Sequence, residues 1–173
     1  MSMTPSIRSK IVDGVIARLG NITKANGYNT QVGTSRVYPF ERTPTRLPNN
    51  SIVVYWSGEI IRGPVANDRY EVEASVSVGF YVSDSSRDPT GAGEALLSDI
   101  QACMGNGLNN PDDLRLTVSV QNYGSGVSGD QKVEILEISN SLNPGGDSAR
   151  GVVVGQVDYL VRYYRNAHRP DKS

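Results

Sequence analysis

From Tyr70 to Val82 every even position is apolar: Tyr70, Val72, Ala74, Val76, Val78, Phe80 and Val82. The intervening positions, from Arg69 to Ser83, are mostly charged or small and polar, with Gly79 and Tyr81 among them. A period of two sustained this long defines a β-strand with one face in a core and the other toward water. At about 3.3 Å per residue it spans roughly 50 Å. A compact domain of this chain length has a radius of gyration of about 16 Å, so a diameter of only about 40 Å. The strand therefore bends or outruns its own domain. An overhanging strand offers unpaired N–H and C=O groups on which a neighbouring chain can add a strand.

The 173 residues fit one domain, 1–173, with 165–173 expected as a flexible tail. A lone cysteine, Cys103, excludes an internal disulfide and any cysteine-rich zinc site. No secretory leader pattern opens the chain and no apolar stretch approaches membrane-spanning length, so the expectation is a soluble protein made in a cytoplasm, without membrane partners. The net charge of −1 is segregated. Residues 1–50 carry +5, residues 51–150 carry −8 and residues 151–173 carry +2. A near-neutral total argues against a dedicated nucleic-acid binder. Segregation of this kind favours contact between opposite faces of neighbouring molecules, although chance placement explains it equally well.

The order of elements is helix, two or three strands, helix, three strands. Thr4 and Pro5 suit the start of the first helix, whose apolar stripe is Ile7, Ile11, Val12, Val15, Leu19 and Ile22; "ANGYNT" is expected to stop it. A short strand is expected over Thr30–Tyr38, an extended proline-rich loop over 39–50, and a strand at "SIVVYW" with Ile52, Val54 and Trp56 on one face. "SGEIIRGPVAND" reads as a turn or hairpin tip before the long strand. Asp88 and Pro89 open a second helix with Ala92, Leu96, Ile100, Cys103 and Met104 as its buried stripe. "LRLTVSV" and "KVEILEIS" are further strands, the second slipping in pattern near Leu136. "NYGSGVSGD" and "NSLNPGGDSARG" read as loops. In the closing strand, Val153, Val157, Tyr159, Val161 and Tyr163 share a face. The fold class is α+β: an antiparallel or mixed sheet with two helices packed on one face, long strands and extended loops.

Chemistry is sparse. The one histidine, His168, lies in the tail. Cys103 lies on the apolar stripe of a helix, where inert packing is the expected role. "GAGEAL" imitates part of a dinucleotide fingerprint, but Leu96 occupies the last glycine position. Glu71 and Glu73 share a strand face, read as solvated. No catalytic, cofactor-binding or metal-binding residues are assigned, and no cofactor is expected. The chain reads as a protein that works by contact.

The chain resembles the tail terminator proteins of long-tailed bacteriophages, the group that includes the lambda terminator. The resemblance runs through the amphipathic opening helix into "ITKANGYNTQVG", the proline-bearing loop into "LPNNSIVVYW", the long alternating strand before "GEALLSDIQACM", and the closing "GQVDYLVRYYR". It covers nearly the whole chain as pattern and order, with "ANGY" its most telling piece. It implies a ring, typically a hexamer, on the head-proximal end of the tail. The ring stops tube polymerisation and joins the capsid connector, so the implied partners are the chain itself, the tail tube protein and the head–tail connector, with DNA only passing through the lumen. The implied location is the virion, with the host cytoplasm during assembly. A neck or head-completion ring protein is the alternative, and a small ligand-binding or enzymatic α+β domain a second. The candidate lumen- or tube-contacting residues are Arg36, Arg42 and Arg46. The candidate interface residues are Ser75, Ser77, Tyr81 and Tyr164.

Overall fold

A computed structural model describes residues 6–66, 69–83, 88–105, 115–121, 128–147 and 151–166. The chain runs α1 (Ile7–Leu19), β1 (Val37–Pro39), β2 (Ser51–Ala66), β3 (Arg69–Ser83), α2 (Pro89–Gly105), β4 (Arg115–Gln121), β5 (Ser128–Asp147) and β6 (Val152–Asn166). The strands form one sheet in the order β1-β2-β3-β6-β5-β4. β1 pairs with β2 in parallel, and every other pair is antiparallel. The sheet is mixed and not closed, so the fold is the expected α+β arrangement.

The alternation in β3 is real. Val72, Ala74, Val76, Val78, Phe80 and Val82 are all buried, and so are Val153, Val157, Tyr159, Val161 and Tyr163 of β6. They meet Ile7, Ile11, Val15 and Leu19 of α1 and Leu96, Ile100, Cys103 and Met104 of α2 in one core. Both helices thus cover the same face of the sheet. α1 touches β1 and β2 near one end of the sheet and β4 at the other, so the sheet curls around it. Gly93 lets α2 approach β6 closely: a Cβ there would meet Val153 Cγ1 at 2.7 Å. That is the use of the glycine in "GAGEAL". Gly155 similarly makes room for the Phe80 ring, its cross-strand partner.

Several boundaries differ from expectation. Ser6 caps α1, its hydroxyl accepting from Ser9 N at 3.2 Å; Thr4 and Pro5 lie outside the described residues. The helix stops at Leu19, before "ANGYNT", where Gly20 lies tight against Thr34. Gly27, at φ 88°, ends only a short 3-10 turn, Lys24–Asn26. The strand expected over Thr30–Tyr38 shrinks to β1. β2 continues through the stretch read as a hairpin tip, with register shifts at Trp56/Gly58, Ile61/Gly63 and Pro64/Ala66. Pro64 is tolerated because β1 pairs only with Ile52–Val54, so the outer side of β2 needs no donor there. β5 likewise continues through "NSLNP", with shifts at Glu137/Ser139 and Asn143/Asp147. The expected slip near Leu136 is thus a bulge at Ile138. Asp88 caps α2 as expected, its Oδ1 accepting from Gly91 N at 2.9 Å. The tail, with His168, lies outside the described residues.

The overhang expected of β3 is absent. β3 is paired to β6 along its whole length and to β2 from Arg69 to Tyr81. It cannot template another chain. The strands with a free side are β2, beside β3, and β5, beside β6. β2 lacks a second partner from Tyr55 to Ala66, and β5 from Ile135 to Asp147, among the described residues.

Candidate functional site: the outer sheet face and the basic loop

The face of the sheet opposite the helices carries no covering layer among the described residues. Antiparallel register lays its side chains in rows across β2, β3, β6 and β5. One row is Tyr55–Ser77–Asp158–Ser139, and another, four residues along β3, is Ile60–Glu73–Arg162–Glu134.

In the first row Asp158 is the hub. Ser77 Oγ donates to its Oδ1 at 2.6 Å, Gln156 Nε2 to the same atom at 2.8 Å, and Ser139 Oγ to Oδ2 at 2.8 Å. Tyr55 OH donates to Gln156 Oε1 at 2.9 Å, and the Ser57 and Ser77 hydroxyls lie 2.8 Å apart. Partial burial raises the Asp158 pKa, but the Ser77, Ser139 and Gln156 donors outweigh it and hold the carboxyl below its ordinary value. In the second row Glu73 accepts from Arg62 Nε at 2.6 Å and from Arg162 Nε at 3.0 Å. Arg162 Nη1 stands 3.7 Å from Glu134 Oε2. The Arg62 hydrogen bond leads in holding the Glu73 carboxyl below its usual range. Glu73 is therefore tied into a network, where the sequence suggested a simply solvated residue.

All four candidate interface residues fall on this face, but they differ in availability. Tyr164 is 45% exposed, and Ser75 and Tyr81 are half-buried. Ser77 is only 3% exposed, and its hydroxyl is committed to Asp158 and Ser57. The expectation that Ser77 lies on a solvated face is thereby corrected: Tyr55, Ser57 and Gln156 close over it.

The three candidate arginines lie in the segment joining β1 to β2 and just before it. Arg36 is half-buried and donates to the Asn49 carbonyl at 2.9 Å, which gives it a structural role. Asn49 Oδ1 in turn accepts from Ser83 N at 2.8 Å, fastening the end of the loop to β3, and Asn50 turns the chain at φ 54°. Arg42 and Arg46 are exposed and have no ion-pair partner among the described residues. Beside them Phe40 is 64% exposed, its ring centroid 6.0 Å from that of Tyr55.

On the helix side two further clusters hold elements in place. Arg8 of α1 pairs with Glu59 of β2 at 3.2 Å and sits 5.3 Å over the Trp56 ring, while Tyr163 OH donates to Glu59 at 3.0 Å. Trp56 is accordingly half-buried rather than fully in the core. Asp99 of α2 is 2% exposed and accepts four hydrogen bonds. They come from Asn29 N (3.1 Å), Asn29 Nδ2 (2.9 Å), Thr30 N (2.7 Å) and Thr30 Oγ1 (2.6 Å). That clamp was not foreseen, although Asp99 sits three residues after Leu96 and four before Cys103, on the buried stripe. Cys103 donates to the Arg18 carbonyl at 3.1 Å, and burial pushes its thiol pKa up, consistent with packing rather than nucleophilic use.

Among the described residues no group of three or more His, Cys, Asp and Glu could hold a metal ion, and no helix is long and apolar enough to cross a membrane. Compared with models of known protein families and with curated proteins, the chain matches none.

Proposed function

We propose that this chain is a structural virion protein. It forms a ring that caps the head-proximal end of a phage tail tube, stops tube polymerisation and presents the joining surface for the head connector. The observation that carries this reading is the sheet itself. Among the described residues one face is bare of helices, two long strands have open sides, and Asp158 and Glu73 on that face are hydrogen-bonded internally. Such a surface suits contact with other protein better than chemistry on a small molecule. The resemblance in element order to tail terminators supports the particular assembly. Arg42, Arg46 and Phe40 supply an exposed basic and aromatic contact region. Arg36 shapes the loop that carries them.

The test is morphological. The purified protein should appear in negative stain as rings, alone or on one end of isolated tail tubes. Removing its gene from the phage should give unjoined tails of abnormal length. DNA-leaking heads with normal tails would move the protein to the neck. Normal particles would end the proposal.

A further inference from the structure

The two ends of the sheet differ in charge and match in form. At the β1 end, residues 34–50 carry a net +2, with Arg42 and Arg46 exposed and Phe40 standing out between them and Tyr55. At the other end β5 carries a net −3, with Glu134 and Glu137 exposed and Ile138 bulged out at 56% exposure. Each end thus offers one protruding apolar side chain beside a net charge, positive at the first although Glu41 stands next to Phe40, and negative at the second although Glu134 lies 3.7 Å from Arg162. At each end a long strand is only half covered: β2 beyond Val54 and β5 beyond Glu134. The two ends belong to one sheet, with β3 and β6 between them.

From this placement we infer that the basic β1 end of one copy docks on the acidic β5 end of a second copy, head to tail. Opposite potentials select that pairing and disfavour head-to-head contact, where like charges meet. Phe40 and Ile138 supply the apolar centre that charge alone lacks. The strands themselves need not fuse into one sheet. The bulges in β2 and β5 and Pro64 blunt those edges, so the contact is made by side chains. A contact between two different surfaces of the same chain is heterologous, and it closes into a ring when the rotation per subunit divides a full turn. The inference rests on the ring reading for that closure, and it assigns Arg42 and Arg46 to the neighbouring subunit rather than to the lumen. The pairwise contact stands on the charge pattern itself.

A charge swap tests it with the full chain. One variant carries Arg42→Glu and Arg46→Glu, and the other Glu134→Lys and Glu137→Lys. The first then has two acidic ends and the second two basic ends. Sedimentation at low salt should show wild-type self-association that weakens as salt is raised. Each variant alone should associate at least about tenfold more weakly, and an equimolar mixture should regain association. Circular dichroism checks that both are folded. If Glu137→Lys disturbs the hydrogen bonds from Gln101 and Asn140, Glu134→Lys alone replaces the second variant. A wild-type chain that stays monomeric at about millimolar concentration overturns the inference. So do folded variants that associate like wild type, or a mixture no better than its parts. Charge-dependent pairing in a protein that neither caps tubes nor affects tails would sink the functional reading and leave this one standing.

Discussion

β3 and β6 on one hand, and β2 and β5 on the other, are strands of similar length in one sheet, yet they obey different rules. The central pair runs in unbroken register over fifteen residues, Arg69–Ser83 against Val152–Asn166. Each central strand has a partner on both sides over most of its length, so a shifted residue would disrupt two ladders. Among the described residues the flanking strands each have a long side without a partner, and there the chain accepts bulges, Pro64, Gly63 at φ 133° and exposed Ile60, Ile61, Val65 and Ile138. Pairing on both sides enforces alternation, and pairing on one side only permits it.

The sharpest way to break the contrast is at its regular end. Val76 is fully buried at the middle of β3, opposite Tyr159. Val76→Asp places an unpaired carboxylate in the core and removes packing, and should cost on the order of 3 kcal/mol or more. Denaturant melts will show whether the variant retains a cooperative transition. A loss below about 1 kcal/mol would mean that the core at β3 is far looser than its burial implies.

What the sequence disclosed follows the same division. The period of two located β3 and β6 and assigned their faces correctly, because nothing in them shifts the phase. It lost β2 after Trp56 and β5 after Ser139. The bulges in β2 and the one at Ile138 each add one residue and exchange the faces, the shift at Asn143/Asp147 adds two, and Gly58, Gly63, Pro64, Pro144, Gly145 and Gly146 imitate turn chemistry. α2 was legible from Asp88 and Pro89, which act locally. The end of α1 was not, because its stop at Gly20 is fitted to Thr34 in another segment. The outer-face networks were invisible for a similar reason: Ser77 and Asp158 are far apart in sequence and meet only through register. Asp99, on the helix side, was not foreseen either, although its helical spacing already put a carboxylate on the buried stripe.

A smaller effect is expected at Ser77, where the regular strand carries the polar network. Ser77→Asp sets a second carboxylate against Asp158 in a nearly closed site and should cost about 2 kcal/mol near neutral pH. The pH dependence has a defined sign. In the wild type the Asp158 carboxyl is held below its ordinary value, so its contribution is present above the ordinary carboxylate range and lost as pH falls through the folded-state value. In the variant, repulsion raises one carboxyl pKa of the pair, so protonation relieves it. The deficit against wild type should therefore shrink between about pH 7 and pH 4. A deficit that stays constant over that window would show that the cost is steric and that the network does not feel the added charge.

The smallest effect belongs to the irregular strands, and it separates stability from contact. Ile138 occupies the bulge of β5 at 56% exposure, where the chain gains little by burying it. Ile138→Ser should change stability by no more than about 0.5 kcal/mol, as expected of a surface position away from any core contact. The bulge is fixed by the register on either side, Glu137 opposite Tyr159 and Ser139 opposite Asp158, so the backbone has no reason to move. A protein that had no use for this side chain would behave as wild type in every assay. If the β5 end is a docking surface, the same variant should self-associate several-fold more weakly at unchanged melting temperature. Thermal melts and sedimentation on one preparation compare the two quantities directly. A large drop in melting temperature would show that Ile138 packs within its own subunit, and that the flanking strands are held as firmly as the central pair.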